Sequence, residues 1–246
     1  MGREWPLGSE VKRSAIAGGA MLYDRSRAGN LRPAWFEQDF WRGRNSVDGE
    51  APGRGKTLFV HSGSKRLALR HYRRGGFIAR LSQDRYVWAG EVKTRPFVEW
   101  ALTYHLHRAG LPVPVPVAAR YLRSRYTYSG DLITERLEGT RSLASCLGQS
   151  ALSLDAWIAV GRCIRRFHVL GVCHADLNAH NILLTENVDI YIIDFDRGTL
   201  RKPGLWCDAN LVRLRRSVEK ITESLPADRF TEDDWHSLLD GYHDSR

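Results

Sequence analysis

The sequence contains few cysteines and no long apolar run. Its four cysteines are Cys146, Cys163, Cys173 and Cys207. No two of them have the C-x-x-C spacing of zinc or redox sites, so we expect reduced, buried thiols. No window approaches about 18 consecutive apolar residues, and the sequence therefore predicts no membrane-spanning helix. Charges and glycines interrupt residues 1–30, so no secretory signal is expected there either.

Positive charge is in excess. Across 246 residues, 37 Lys and Arg against 28 Asp and Glu give a formal net charge of +9. Such a balance indicates a polyanionic partner, which could be nucleic acid, an anionic membrane face or a phosphorylated substrate. Apolar residues make up 43% of the chain, enough for a full hydrophobic core in one large or two-lobed domain.

The most informative motif is H-A-D-L-N-A-H-N at residues 174–181, followed by D-F-D-R-G at residues 194–198. The spacing fits the catalytic loop of a kinase and its metal-binding aspartate. Asp176 would be the catalytic carboxylate that reaches the acceptor hydroxyl. Asn181 and Asp194 would supply oxygen ligands to Mg²⁺, which holds the phosphates of ATP. The alternative is a plain β-hairpin with polar ends, but agreement at four positions favours the kinase motif.

The order of the predicted elements indicates a fold class. Four strands (Lys56–His61, Lys65–His71, Ala118–Arg125 and Asp131–Leu137) surround one helix, Pro96–Ala109, and a turn is expected at Ser129-Gly130. Two helices, Leu154–Leu170 and Asp208–Ser224, flank the motif and its two short strands. This order predicts an α+β, two-lobed protein-kinase-like fold. Its parts would be an N-terminal extension over residues 1–50, a small lobe over 51–137 and a helical lobe over 138–246.

Two segments outside these elements have open interpretations. The aromatic residues of 35–41 are predicted to pack in the core, with a membrane-facing role as the alternative. The charges Arg213, Arg216 and Lys220 lie off the apolar stripe of the last long helix. An ordinary solvated face is slightly favoured for them over substrate contact.

Several residues are candidates for binding the nucleotide. Gly53 and Gly55 could let the backbone approach phosphate, although an isolated G-R-G is more often a turn. Arg70, in Leu67-Ala68-Leu69-Arg70, stands where kinases carry a phosphate-binding lysine, and Glu99 would be its helix partner. The alternative is that both are surface charges. The backbone of Glu135 and Leu137 would contact adenine at a hinge.

Several strings together resemble the 3-deoxy-D-manno-octulosonic acid (Kdo) kinases of the lipopolysaccharide kinase group. They are R-H-Y-R-R-G-G at 70–76, R-P-F at 95–97, G-L-P-V-P at 110–114, D-L-I-T at 131–134 and the two segments of the catalytic motif. The resemblance implies ATP-dependent phosphorylation of the Kdo 4-hydroxyl on a Kdo–lipid A precursor. It also implies a cytoplasmic enzyme bound peripherally to the anionic inner membrane. The resemblance further implies that arginine at position 70, in place of lysine, is a feature of the family.

Other functions remain as alternatives. The chain has no A-P-E motif and reaches its next helix soon after Gly198, which disfavours a protein substrate. An aminoglycoside or other small-molecule kinase shares the catalytic motif, but cationic substrates favour acidic pockets. An inner-core heptose kinase is the nearest enzyme alternative. A basic nucleic-acid-binding protein would explain the charge but not the catalytic motif, so no nucleic acid is expected.

Overall fold

The computed structural model describes residues 8–51, 57–73 and 84–244. Gly53 and Gly55 lie outside the described residues, as do Arg74, Gly75 and Gly76. The chain divides into two compact units. The first comprises Met1–His105 and Pro114–Arg136, and the second comprises Leu106–Val113 and Leu137–Arg246. Both helices and sheets contribute to the structure, which confirms the predicted α+β class.

The first unit is built on one antiparallel sheet with a single long helix. Its strands are β1 (Val11–Ile16), β2 (Gly19–Asp24), β3 (Val47–Ala51), β4 (Thr57–Ser62), β5 (Lys65–His71), β6 (Tyr86–Val87), β7 (Pro116–Ser124) and β8 (Thr127–Glu135). Its helices are α1 (Arg25–Ala28), α2 (Gln38–Arg42) and α3 (Arg95–Arg108). The order β1-β2-β7-β8-β5-β4-β3, with β6 paired to β8, places the β7–β8 hairpin at the centre. The sequence had predicted no strand before residue 56.

The turn predicted at Ser129-Gly130 is wrong. Both residues lie inside β8, opposite Leu122 and Tyr121 of β7, and the hairpin turns instead at Arg125. Gly130 marks a close approach: a Cβ at this position would lie 2.6 Å from Cγ of Pro96. Glycine in a strand often signals such a contact rather than a turn.

Both faces of this sheet are covered. Alternate residues of each strand point to opposite faces, so neighbours such as Leu132 and Ile133 belong to different core clusters. Helix α3 covers one face, where the ring of Phe97 lies 5.3 Å from that of Tyr121. The segment before β3 covers the other face through Phe36 and Trp41, which are buried. The core role predicted for the aromatic residues of 35–41 is therefore confirmed for these two.

The second unit is mainly helical. Its helices are α4 (Leu143–Gln149), α5 (Leu154–Val169), α6 (Trp206–Thr222) and α7 (Glu232–His243), and its short strands are β9 (Thr140–Ser142), β10 (Val172–Cys173), β11 (Ile182–Thr185), β12 (Ile190–Ile192) and β13 (Thr199–Leu200). Ser153 caps α5, since its Oγ accepts the N–H of Ala156 at 3.3 Å. Strands β11 and β12 form the predicted antiparallel hairpin.

Helices α5 and α7 cross at two glycines. A Cβ on Gly161 would lie 1.9 Å from the carbonyl oxygen of Leu238, and one on Gly241 would lie 2.1 Å from that of Ile158. Backbone therefore packs directly on backbone at this crossing. Nearby, the buried ring of His168 shares a hydrogen bond of 2.8 Å with the Tyr242 hydroxyl.

Candidate active site

The catalytic motif is organised around His174, which is buried. Its Nδ1 accepts the backbone N–H of Asp176 at 3.1 Å, and its Nε2 donates to the carbonyl oxygen of Ile193 at 2.9 Å. One ring nitrogen accepts and the other donates, so the imidazole is neutral. Burial agrees with this assignment because it lowers the pKa of His174. The ring thus joins the segment of Asp176 to the segment of Asp194.

Asn181 is fixed by three hydrogen bonds. Its Nδ2 donates to the carbonyl oxygen of Asp176 at 2.9 Å, its backbone N–H donates to Asn178, and its carbonyl oxygen accepts the N–H of Ile193 at 3.0 Å. Because the amide nitrogen is used inside the loop, Oδ1 is the atom of this side chain suited to a metal. The bond to Ile193 also brings Asn181 beside the residue that precedes Asp194.

Asp194 has a left-handed backbone, with φ of 65°. Aspartate tolerates this region better than most residues, but the conformation still needs support from its surroundings. Phe195 provides an anchor: it is 1% exposed and stacks on Phe167, with the ring centroids 5.7 Å apart. The His174 ring lies on it as well, at 5.0 Å.

The donor set suits Mg²⁺. An amide oxygen from Asn181 and a carboxylate from Asp194 are oxygen ligands, and Mg²⁺ usually takes few protein ligands beside phosphate oxygens and water. Within the part of the chain that the structure describes, no group of three or more His, Cys, Asp or Glu side chains forms a metal cluster.

Helix α6 contacts the catalytic loop through one polar face. Asn210 donates through Nδ2 to the carbonyl oxygen of His174 at 3.1 Å, and Ser217 accepts the N–H of Ala179 at 3.2 Å. Between them, Nη1 of Arg213 lies 3.6 Å from Oδ1 of Asp176. For the charges of this helix, sequence reasoning slightly favoured an ordinary solvated face over substrate contact, and it did not select Asn210 or Ser217. Polar residues at i, i+3 and i+7 beside the apolar stripe of the helix were the signal for a second contact face.

The first unit carries a buried ionic group. The Nη2 of Arg70 donates to the Glu99 carboxylate and also to the Tyr72 hydroxyl, the latter at 3.1 Å. Tyr72 in turn donates to the same Glu99 oxygen. The Glu99 side chain is 4% exposed and that of Arg70 is 22% exposed. The structure therefore brings Arg70 and Glu99 together and adds Tyr72, which sequence reasoning had not selected.

The predicted hinge residues are already hydrogen-bonded in the backbone. The N–H of Glu135 donates to Val115 at 2.8 Å, and its carboxylate lies 3.3 Å from the Arg27 guanidinium. The carbonyl oxygen of Leu137 accepts the hydroxyl of Thr140 at 2.8 Å. The predicted contact of adenine with this segment would therefore require backbone groups other than the Glu135 N–H.

Comparison with known proteins gives a family. Residues 38–242 match the model of the lipopolysaccharide kinase (Kdo/WaaP) family. The chain belongs to this family. Among its relatives, a 3-deoxy-D-manno-octulosonic acid kinase of Xylella fastidiosa (strain 9a5c) is 45% identical over 204 residues, covering 82% of this chain and 81% of the relative. Kinases with the same name from Photobacterium damsela subsp. piscicida (42% identity; 82% and 85% coverage) and Haemophilus influenzae (strain ATCC 51907 / DSM 11121 / KW20 / Rd; 39% identity; 90% and 95% coverage) are also similar.

Membership of the Kdo/WaaP family confirms the resemblance drawn from the sequence strings. The matched region includes both the ionic group of Arg70 and the loop of Asp176. It begins at residue 38, so strands β1 and β2 lie outside the family match. Among the helices that the structure describes, none has both the length and the apolar character needed to span a bilayer.

Proposed function

We propose that this kinase transfers the γ-phosphate of ATP to the 4-hydroxyl of Kdo on a Kdo–lipid A precursor, in lipopolysaccharide inner-core biosynthesis. Family membership supports a phosphotransferase that acts on a sugar hydroxyl. The names of the similar kinases support Kdo as that sugar. The observation that carries the proposal is the His174 ring, whose two nitrogens bond the backbone of Asp176 and the backbone of Ile193, the residue before Asp194.

Asp176 has the properties of the base in this reaction. Its side chain is 64% exposed, so an acceptor can reach it, while its backbone is held by His174, Asn178 and Asn181. The carboxylate accepts the proton of the attacking hydroxyl as the new O–P bond forms. The bond between the γ-phosphorus and the bridging oxygen breaks, and ADP leaves with that electron pair.

Asn181 and Asp194 would hold Mg²⁺, which supplies charge neutralisation at the phosphates when bound. Arg70 would contact the phosphates from a fixed position, because Glu99 and Tyr72 restrain its guanidinium. Gly53 and Gly55 would line the phosphates, and Glu135 and Leu137 the adenine. In this proposal the two compact units are the small and large lobes of a protein-kinase-like fold, with residues 1–50 joined to the small lobe.

Peripheral binding to the anionic inner membrane is part of the proposal. One exposed surface supports it: the β7–β8 tip, which we define as Val87, Arg123, Arg125 and Tyr126. Val87 is 72% exposed and Tyr126 is 84% exposed, and the two are linked because β6 pairs with β8 beside the turn. Apolar side chains flanked by arginines suit an interface of acyl chains and anionic headgroups.

The β7–β8 tip can be tested with vesicles. We expect the protein to sediment with vesicles containing anionic phospholipid and not with zwitterionic ones. Replacing Val87 and Tyr126 together by serine should weaken sedimentation, while Val92→Ser, at a residue 73% exposed elsewhere on this unit, should not. Binding that is insensitive to the tip would assign membrane contact to another surface.

The activity is tested by transfer of labelled phosphate from ATP. Kdo–lipid IVA and a heptosylated core are compared as acceptors, with the wild-type enzyme, Asp176→Ala and the exposed control Asp233→Ala. We expect transfer to Kdo–lipid IVA by the wild type and the control, and a loss of about 10²–10⁴ in kcat for Asp176→Ala. Preference for the heptosylated core would indicate a heptose kinase. Oligonucleotide binding without any transfer would favour the nucleic-acid alternative.

A further inference from the structure

Helix α6 places Arg213 beside the carboxylate of Asp176. The hydrogen bonds of Asn210 and Ser217, one turn away on either side, dock helix α6 onto the loop at His174 and Ala179. Nη1 of Arg213 lies 3.6 Å from Oδ1 of Asp176 as a consequence. Because backbone groups of the loop take part in both bonds, the approach of Arg213 to Asp176 is set by the docking of the helix.

The catalytic loop itself contributes no permanently charged cation near Asp176. Leu177-Asn178-Ala179-His180, which separate Asp176 from Asn181, include neither lysine nor arginine. Asn178 uses its amide within the loop, donating to the Asp176 carbonyl oxygen and accepting the N–H of His180, both at 2.9 Å. Arg213 therefore supplies from a helix the cation that the loop lacks.

The contact with Asp176 does not use the N–H donors of the Arg213 guanidinium. At 3.6 Å the contact is an ion pair without a hydrogen bond, and the Arg213 side chain remains 54% exposed. Exposed pairs of this kind contribute little to stability, so the fold gains little from the charge at this position. A guanidinium presents five N–H donors in a plane, which matches a carboxylate in a bidentate manner.

We propose that Arg213 binds the carboxylate of the acceptor sugar while Asp176 takes the proton from its hydroxyl. The inference rests on the proposed function and specifies its acceptor site. Kdo is an acid sugar, so one ring carries both the reacting hydroxyl and a carboxylate. Adjacent base and guanidinium would engage the two groups together and orient the hydroxyl. A neutral sugar would leave the guanidinium without its partner, which gives a basis for selecting Kdo over heptose.

The test is a cycle that changes the enzyme and the acceptor separately. Wild type, Arg213→Gln, Arg213→Lys and Arg216→Gln are each assayed on Kdo–lipid IVA and on the same acceptor with the Kdo carboxylate reduced to an alcohol. Arg216 is a matched control because it is an exposed arginine on the same helix. Thermal melts establish that each variant is folded.

We expect Arg213→Gln to lower kcat/KM for Kdo–lipid IVA by about 10- to 100-fold, the usual cost of a lost charged hydrogen-bond pair. The loss should lie mainly in the KM of the acceptor, with the KM for ATP unchanged. On the reduced acceptor, the wild type and Arg213→Gln should be equally slow. Arg213→Lys should recover part of the loss, and Arg216→Gln should behave as the wild type.

Other outcomes overturn the assignment. An equal loss on both acceptors would make Arg213 a positioning residue for Asp176, and a raised KM for ATP would make it a phosphate ligand. If the wild type phosphorylates Kdo–lipid IVA but the cycle shows no coupling, the Arg213 assignment fails and the proposed function stands. If the wild type transfers no phosphate to Kdo–lipid IVA, both fail.

Discussion

The hydroxyl of Tyr72 and the carboxylate of Glu99 share a hydrogen bond next to the Arg70 guanidinium. Burial, and then the nearby charge of Glu99, raises the pKa of Tyr72 well above its usual value. The phenol therefore stays protonated and remains a donor across the working pH range. Two donors converge on one buried carboxylate oxygen, which restrains Arg70 more tightly than an ion pair alone.

Tyr72→Phe should weaken ATP binding without abolishing activity. The variant leaves Glu99 buried with one donor fewer and releases one restraint on Arg70. We expect the KM for ATP to rise by about 10-fold, since hydrogen bonds to charged groups are worth about 1.5–3 kcal/mol. Steady-state kinetics with ATP varied would measure this, with the exposed Tyr126→Phe as control. An unchanged KM would show that Glu99 alone restrains Arg70.

Arg70→Lys should impair this enzyme rather than give it a more ordinary kinase site. The lysine ammonium is a point charge and cannot contact Tyr72, Glu99 and a phosphate with the geometry of a guanidinium. We expect a raised KM for ATP and a lower kcat/KM, with an unchanged thermal melt. Full activity in Arg70→Lys would show that any cation suffices, and full activity in Arg70→Ala would assign the phosphate contact to another residue.

Asp194→Asn should weaken the binding of Mg²⁺·ATP far more than that of metal-free ATP. The substitution removes one charged oxygen ligand but keeps a side chain that tolerates the left-handed backbone at this position. Titration of each nucleotide form into the variant would measure the difference. An equal loss for both forms would mean that Asp194 has only a structural role.

The second unit should lose stability in acid because of His168. Burial lowers the pKa of His168 to about 4, from an unfolded value of 6.5. The unfolded chain therefore binds the proton first as the pH falls. The stabilisation is present above pH 6.5 and is lost between pH 6.5 and about 4, by roughly 3 kcal/mol at the limit.

His168→Phe tests this source of acid sensitivity. The variant loses the bond to Tyr242 at every pH but has no proton to bind, so its unfolding free energy should depend less on pH than that of the wild type. Urea melts at several values between pH 7 and 4.5 would measure it. The exposed His236→Gln should follow the wild type, and a parallel pH dependence in His168→Phe would contradict the assignment.

Gly161→Ala should destabilise the second unit by about 1–3 kcal/mol, because the added methyl group would force α5 away from Leu238 of α7. Gly148→Ala in α4 is the matched control. A Cβ at Gly148 meets no atom within 4 Å, so there alanine should stabilise its helix by about 0.5–1 kcal/mol. Chemical denaturation of both variants would measure the difference, and equal effects would refute the close crossing.

Local signals predicted the catalytic hairpin well. The apolar residues of β11 and β12 pair across a few residues, so nearby sequence determines both the strands and the positions of Asn181 and Asp194. Long-range contacts were not predictable in this way. The pair Ser129-Gly130 is typical of a turn, and only the packing of Pro96 against Gly130 explains why this glycine lies inside a strand.

The candidate active site also combines features that local sequence predicts with contacts that depend on distant residues. The spacing from His174 to Asn181 encodes the loop, whereas the arrival of Arg213 depends on a helix docked from outside it. Tyr72 was overlooked because a buried tyrosine next to a strand resembles an ordinary core residue. Strands β1 and β2 were not predicted because polar and apolar residues alternate only weakly along them. Strand β1 lies at the edge of the sheet, and its side chains are largely unburied.

The central position of the β7–β8 hairpin has a consequence for synthesis of the protein. The hairpin β1–β2 and the strands β3–β5 emerge from the ribosome first, but neither pairs with the other. Both segments are joined only by the later β7–β8 hairpin. Gly19, for example, pairs with Leu122, about a hundred residues further along the chain. A nascent chain that ends before β7 therefore contains two separate β segments whose edge strands lack hydrogen-bonding partners. Translation of β7 and β8 is thus the step that closes the sheet, and a pause just before it would lengthen exposure to aggregation.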